Sequence, residues 1–562
     1  MADIPRQPPL LLPVDFDPFA DSHDRTLALT EQQREMCAAA LMGDEANCAY
    51  NQCFALRLGG PLSQHSLHNA LAQVVQRHEA LRVRINSNAE QQEVLASIDV
   101  ALPLVDMSAA DPAERDAAIL RLLDKETRTA FDLSVAPLWR AQLIRETADL
   151  HWLVFTAHHL VVDGWSSAVI FGDLARAYAA DRFGLPAQLP PAAAYHDFVA
   201  NSQSAEAIAE AQAAEEFWVE QFAGGVPSFE LPIDHPRPPL KTYAASRQVL
   251  SIDKALYQAV RKMGAQQGAT LFVTLLAAFE VLVARLSSSE ELVIGVPMAS
   301  QALLDNAHLV AHGVNTIPLL CRVDMQHSFI EHLQRARRMF LDAQAHQQLT
   351  FGSLVHRLRL PRDPSRTPLV TVIFNIDKLG TPFDFGAVKV AGIETPKSFY
   401  NFEFGINAVD DGAGLLLECD YNSDLLDAAT VTRWLGHYRE LLAAVAANPA
   451  VRVGELSLLT SAEREALLAG STRSYPRGAT LQERFEQQVA RTPDAIALTG
   501  FAADESRYEL SYAELNRRAN VVARQLRDLG VSANQLVGLR TERTADLVIG
   551  ILAILKAGGA YL

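Results

Sequence analysis

Cysteine is scarce: five residues in 562, at positions 37, 48, 53, 321 and 419, with no CxxC pair. That scattered, odd set excludes a disulfide scaffold and a thiolate metal site, and it fits a reducing compartment. A cytoplasmic location is the expectation. Basic charge is also short, with 49 Lys and Arg against 66 Asp and Glu and a formal net charge of −17. Nucleic acid recognition needs a basic footprint, so no nucleic-acid partner is expected. Long hydrophobic runs are missing too. The N-terminus has no basic start, and its Leu10–Val14 stretch is broken by Pro13, which argues against a signal peptide. The most apolar stretch, Leu271–Leu286, carries Glu280 and Arg285 and reads as a core helix, so no membrane partner is expected. What remains is an ordinary globular composition, 49% apolar and 20% charged. At roughly 100–200 residues per domain, the length allows about three to five domains or lobes.

Helical and extended patterns alternate. Gly60–Leu81 places Leu67, Leu71, Val74 and Val75 on one face, and Asp111–Phe131 is a second amphipathic stretch with Pro112 in its first turn. Leu150–Ala157 is almost continuously apolar, as a buried strand is, and Ser166–Ala180 then turns helical. After a Pro- and Ala-rich passage a second mixed unit follows. Its expected helices are Ala205–Phe222, Leu256–Gln267, Leu271–Leu286, Ser328–Gln348 and Asp427–Ala447. Its expected strands are Glu291–Pro297, Asn315–Val323, Leu369–Ile376 and Leu415–Tyr421. Two successive α/β units of similar size imply two lobes meeting at a cleft. From Tyr475 a third unit alternates helix and strand up to Leu562.

The sharpest local feature is His158-His159-Leu160-Val161-Val162-Asp163-Gly164, at the end of the apolar strand. Alternation along a strand sends neighbouring side chains to opposite faces, so only one of the two imidazoles can enter a given cleft. An imidazole with a pKa near about 6.5 is mostly neutral at pH 7 and can accept a proton. Gly164 is expected to provide a backbone conformation that a Cβ would hinder. A metal site through His158, His159 and Asp163 is disfavoured, since no HExxH helix or cysteine partner accompanies them. Gly164-Trp165-Ser166-Ser167-Ala168 approaches a GxSxG elbow between strand and helix but lacks the final glycine. Ser166 is therefore either a nucleophile or the N-cap of the following helix.

HHLVVDG matches the HHxxxDG motif of the condensation domains of nonribosomal peptide synthetases, and further segments resemble that family's motifs in order. They are Arg77-His78-Glu79-Ala80-Leu81-Arg82, Tyr195-His196-Asp197-Phe198, Ile294-Gly295-Val296-Pro297, Val314-Asn315-Thr316, His346-Gln347 with Phe351, Leu354 and Val355, and Arg362–Leu369. The resemblance covers about residues 27–450. In the tail, Leu510–Leu515 and Leu555–Leu562 resemble the first two core motifs of adenylation domains.

The resemblance implies an α/β fold of two chloramphenicol-acetyltransferase-like lobes in a V-shaped pseudo-dimer, plus a truncated adenylation-domain fragment. The expected order is an N-terminal segment 1–26, N-lobe 27–185, C-lobe 186–450, linker 451–475 and adenylation fragment 476–562. The fragment lacks the family's phosphate loop and is not expected to activate amino acids. The implied activity is acyltransfer from a donor carrier-protein thioester to the amine of an aminoacyl thioester on an acceptor carrier protein. Both substrates would ride on phosphopantetheine arms, with no cofactor bound to this chain and no metal. The partners would be those carrier proteins and the rest of the synthetase module; a residue 1–26 segment too short for a carrier domain implies a donor carrier on another chain, if Met1 is native. His159 is the expected proton acceptor and Gly164 the expected oxyanion donor, with His158 and Asp163 shaping the loop. Trp165, Ser166, Asn315 and Gln301 are the expected substrate-side residues. Gln301 stands where the family often has an Arg that pairs with the motif Asp, and Cys37 where it often has Trp. These departures, together with the Asn315 region, resemble condensation domains fed with polyketide or fatty acyl donors. Heterocyclising relatives replace the His pair, and epimerising ones follow a carrier domain, so both subtypes are disfavoured. The rival readings are a serine hydrolase or thioesterase using Ser166, a small-molecule acyltransferase with an HxxxD motif, which Asp384-Phe385-Gly386 faintly resembles, and a non-catalytic carrier-protein docking module.

Overall fold

The computed structural model describes residues 24–299, 307–378, 383–469, 478–501 and 506–562. The chain divides near residue 464 into two compact units. The first holds two lobes, each on its own sheet.

The N-lobe sheet runs in the order Lys389–Ile393, Asn51–Gly59, Leu150–His158, Trp139–Thr147, Leu104–Asp106. The apolar run Leu150–His158 is central and buried over its last six residues, because strands flank it on both sides. Helix Gly164–Arg182 follows at once and packs against helix Gln64–Arg77, whose Leu67, Leu71, Val74 and Val75 are all buried, as their spacing requires. Arg77 and His78 fix that packing from the other side, donating to Asp173 of the later helix at 2.9 and 3.0 Å.

Chain from beyond residue 186 completes this lobe. Tyr195 and Val199 lie in its core, as do Leu309, Val310, Ala311, Phe385 and Val388, and strand Lys389–Ile393 adds itself to the sheet edge. Phe385 packs on Tyr178 with ring centroids 5.6 Å apart. The segment Asp384-Phe385-Gly386 is thus a core-plugging turn, with Gly386 at φ +67° and its amide donating to Asp384.

The C-lobe sheet has six strands in the order Val314–Arg322, Glu291–Ala299, Val372–Lys378, Phe404–Asp410, Leu415–Asn422, Ala245–Ile252. Helix Leu271–Ser287 is buried almost all round, from Val273 to Ala284, which makes it the lobe's core helix. Among the described residues no single helix is long and apolar enough to cross a membrane. In the second unit, helices Leu481–Arg491, Tyr512–Asp528 and Ala545–Ala557 surround a small core of Leu510, Leu515 and Ile549, with two two-stranded sheets.

Candidate functional site

The motif loop is tied from every side. His158 N–H donates to the Leu138 carbonyl and His159 N–H to the Tyr50 carbonyl, at 2.9 and 2.8 Å. Leu160, Val161 and Val162 are fully buried beneath the loop. Gln33, in helix Glu31–Ala40, donates its amide to the Leu160 carbonyl at 3.2 Å and to the Tyr195 hydroxyl at 2.8 Å. Three segments far apart in sequence therefore grip one turn.

The two imidazoles part company as strand alternation requires. His158 is fully buried, with the rings of Tyr50 and Phe131 beside it at centroid distances of 5.9 and 6.2 Å. Its Nδ1 accepts from Leu160 N–H at 3.2 Å. Burial, with the neighbouring His159, pushes its pKa down to about 3, so it stays neutral. His159 is only half-buried. Its Nδ1 lies 2.9 Å from the Val162 carbonyl, a contact that requires Nδ1–H as donor. Nε2 then carries the lone pair, and it makes no hydrogen bond among the described residues. Burial holds the pKa of His159 below the usual 6.5, while the Asp163 carboxylate pulls it back up.

Asp163 is completely buried and N-caps helix Gly164–Arg182. One carboxylate oxygen accepts from Ser166 N–H and Ser166 Oγ–H at 2.8 and 2.7 Å, and the other from Gly313 N–H at 2.9 Å. Of the two readings of Ser166, the N-cap position goes to Asp163 and Ser166 sits three residues into the helix, because the carboxylate is the stronger acceptor for free helix amides. Nor is Ser166 a nucleophile. It is fully buried, its hydroxyl proton has Asp163 and the Ala311 carbonyl as acceptors, both at 2.7 Å, and its oxygen accepts from Ala311 N–H at 3.0 Å. No imidazole hydrogen-bonds it among the described residues, which removes the base a serine hydrolase needs.

Other expectations shift as well. Gly164 has no left-handed φ, and an added Cβ would meet nothing within 4 Å. What its missing side chain leaves is open space at the first amide of the helix. Trp165 is 39% exposed, its indole N–H donating to the Ala307 carbonyl at 3.2 Å. Asn315 does not face a substrate: its amide donates to the Gln347 and Leu349 carbonyls at 2.8 and 2.7 Å and accepts from Phe351 N–H. It is fully engaged in holding the turn that starts helix Phe351–Leu358. Gln301 lies outside the described residues.

One residue that sequence reasoning missed stands at the centre. His312, from the C-lobe sequence, places Nδ1 3.2 Å from His159 Nδ1, and the rings meet edge to face with centroids 4.8 Å apart. The Leu309-Val310-Ala311 run before it was a weak signal, since three apolar residues leading into His-Gly mark a buried approach to a loop. The site is thus a junction of both lobes, where segment 307–313 is seated on the loop and on the start of the motif helix. A separate cavity of about 230 Å³, lined by Phe217, Trp218, Glu280, His332 and Met339 among others, lies in the C-lobe and includes none of these residues.

Comparisons with known proteins bear on the family and the fold. The family model described as Condensation domain matches residues 23–468, and the one described as AMP-binding enzyme matches residues 485–562. Tyrocidine synthase 3 of Brevibacillus parabrevis is 32% identical over 523 residues, covering 92% of this chain and 8% of that protein. Chondramide synthase cmdD of Chondromyces crocatus is 31% identical over 553 residues, covering 96% of this chain and 14% of that protein. The chain therefore spans only a small part of the curated relatives it matches. Among solved structures, holo-AB3403, a four-domain nonribosomal peptide synthetase bound to AMP and glycine, superposes with TM-score 0.76 at 22% identity, covering 96% of this chain and 41% of that one. The first condensation domain of the calcium-dependent antibiotic synthetase, in complex with a substrate analogue, gives TM-score 0.68 at 20% identity, covering 78% of this chain and all of that one (100%). At such identities these two matches speak to the fold alone.

Proposed function

The chain belongs to the condensation-domain family, followed by sequence of the AMP-binding enzyme family, and we propose that it forms an amide bond between two substrates delivered as thioesters by separate carrier proteins. The observation that carries this reading is His159: a half-buried imidazole at the junction of two lobes, with Nδ1–H tied to Val162 and Nε2 unengaged among the described residues.

The acceptor amine attacks the donor thioester carbonyl. A C–N bond forms, the C–S bond breaks, and one proton moves from the amine nitrogen to the departing pantetheine sulfur. An aminoacyl amine has a solution pKa near about 8, so a fair fraction is neutral at pH 7 and no strong base is needed. Positioning two tethered substrates supplies the largest share, roughly 7–11 kcal/mol for well-oriented groups. His159 Nε2 accepts the amine proton as the bond forms and returns it to sulfur, help typically worth about 10²–10⁴-fold. The Gly164 amide, first in a 19-residue helix, faces the developing oxyanion. Asp163, His158 and Ser166 hold the loop, and Trp165 stands at the substrate side. Both arms are phosphopantetheine, the donor and acceptor carriers are the partners together with the rest of a synthetase module, and the setting is cytoplasmic. For the donor we propose a polyketide or fatty acyl chain, on the sequence departures at Cys37 and Gln301 alone, since Asn315 is occupied with backbone.

The test mixes the full chain with an acyl-loaded donor carrier and an aminoacyl-loaded acceptor carrier and reads the acceptor's intact mass. The expected result is amide on the acceptor carrier, faster with a fatty acyl than with a peptidyl donor. Free acid with an unchanged acceptor contradicts the reading and restores a thioesterase.

A further inference from the structure

His312 has no part in the mechanism above, yet its backbone is clamped on both sides to the catalytic loop. Ala311 exchanges hydrogen bonds with the Ser166 hydroxyl, and Gly313 N–H donates to Asp163. Leu309, Val310 and Ala311 anchor the segment in the N-lobe core. The side chain is 9% exposed, with the Val314 backbone within its reach, and its Nδ1 lies 3.2 Å from His159 Nδ1. That nitrogen already carries hydrogen, because it meets the Val162 carbonyl at 2.9 Å. Two N–H groups cannot face each other across 3.2 Å, so His312 Nδ1 presents a lone pair and the ring's hydrogen sits on Nε2.

We propose that His312 is a positioning residue for amide formation: it holds His159 in the Nδ1-protonated tautomer and takes a share of the charge on that ring when Nε2 accepts the amine proton. This rests on the reading of His159 as proton acceptor. The wrong tautomer would put hydrogen on Nε2 and leave nothing to accept with. Once the imidazolium forms, Nδ1–H becomes a charged donor with two acceptors, Val162 O and His312 Nδ1, and charge-assisted hydrogen bonds are roughly twice as strong as neutral ones. The proton then leaves from Nε2 to the pantetheine sulfur, so His312 gains and loses nothing over the cycle. The ionisable groups facing the pair are His158 from the strand end, Asp163 from the helix cap and Lys397 from the segment after strand Lys389–Ile393. Burial keeps His312 neutral well below pH 6.5, and the neighbouring imidazoles oppose a second proton, so the pair holds one charge at most.

The experiment has two arms on the full chain. In single-turnover amide formation, His312→Leu is expected to slow the step on the order of 10-fold, a part of what a positioned base supplies. The part of its acid limb that belongs to His159 is expected to move to lower pH, because the imidazolium loses an acceptor, while the part set by the amine stays in place. His312→Asn, which returns an acceptor oxygen near the same place, is expected to restore most of the rate. A His312→Leu enzyme with the wild-type rate and pH profile overturns the proposal, and so does an Asn variant no better than Leu. The second arm needs no folded variant: ¹⁵N-histidine NMR of the wild-type chain near neutral pH should show His159 protonated at Nδ1 and His312 at Nε2. Hydrogen on His312 Nδ1 overturns the proposal. If wild type makes no amide at all, the proposed function fails, while the tautomers still judge the histidine pair.

Discussion

At the lobe junction His159 keeps one nitrogen free, whereas in the C-lobe core His332 gives its Nε2 to Glu280 at 3.1 Å and to the Ala277 carbonyl at 3.2 Å. His332 and Glu280 are 2% and 1% exposed and line the 230 Å³ cavity. Both places bury imidazoles beside a carboxylate, and only one fits chemistry. Burial and a nearby acid do not distinguish them. What does is the group each ring is tied to, a backbone carbonyl and a second imidazole for His159 and the carboxylate itself for His332. At the junction the carboxylate of Asp163 is occupied by a helix cap and a loop amide, so it acts on His159 through space and leaves the ring's hydrogen bonds to backbone and to His312. In the core the acid binds its histidine directly and the pair is structural.

That contrast is open to attack from both ends. The largest effect is expected at the junction: His159→Ala lowers amide formation about 10²–10⁴-fold while the thermal midpoint stays within a few degrees of wild type. The core should behave in the opposite way. His332→Leu strands the Glu280 carboxylate and costs about 3–5 kcal/mol in denaturant unfolding, with turnover per folded molecule unchanged. Adding Glu280→Leu should recover much of that loss, because an apolar pair of similar volume needs no ion partner. A third, smaller effect is pH dependence. The unfolded chain protonates His158 near about 6.5, but the folded chain resists until about pH 3. The unfolded state therefore binds the extra proton in that window, and stability falls as pH drops through it. His158→Phe should flatten the slope of thermal midpoint against pH, whatever it does to the midpoint itself. The smallest effect on turnover is that of Ser166→Ala, which costs about 1–3 kcal/mol of stability because the buried Ala311 amide and Asp163 carboxylate each lose a partner, with amide formation retained. Abolished turnover in that variant would bring the serine reading back.

The parts that could be read in advance were those set by local pattern. Leu150–His158 announced itself by an unbroken apolar run because it is central in its sheet, and helix Gln64–Arg77 by the spacing of Leu67, Leu71, Val74 and Val75. Strand Asn51–Gly59 was missed: Gln52 and Arg57 break its alternation, and its partner Lys389–Ile393 lies more than 300 residues away, beyond any local signal. The same non-locality hid the site's second half. Two histidines and an aspartate were visible within one motif, but the amide that takes the second Asp163 oxygen, the groups that occupy Asn315 and the imidazole that faces His159 all come from residues 307–351, which share no periodicity with the motif. Gly164 was misjudged because a motif glycine invites a backbone explanation, whereas its φ is unexceptional and the space it leaves open is the feature.

The most direct measurement is the single-turnover rate of amide appearance on the acceptor carrier, for wild type and His159→Ala, across pH 5 to 9 (about one unit per step, a range spanning the imidazole pKa of about 6.5). Wild type should lose rate on the acid side in two stages, once as the acceptor amine protonates at about pH 8 and again below the ordinary imidazole value of about 6.5, while the alanine enzyme stays slow throughout and keeps only the amine's limb. Equal rates with equal profiles would show that the free nitrogen of His159 takes no proton in the reaction.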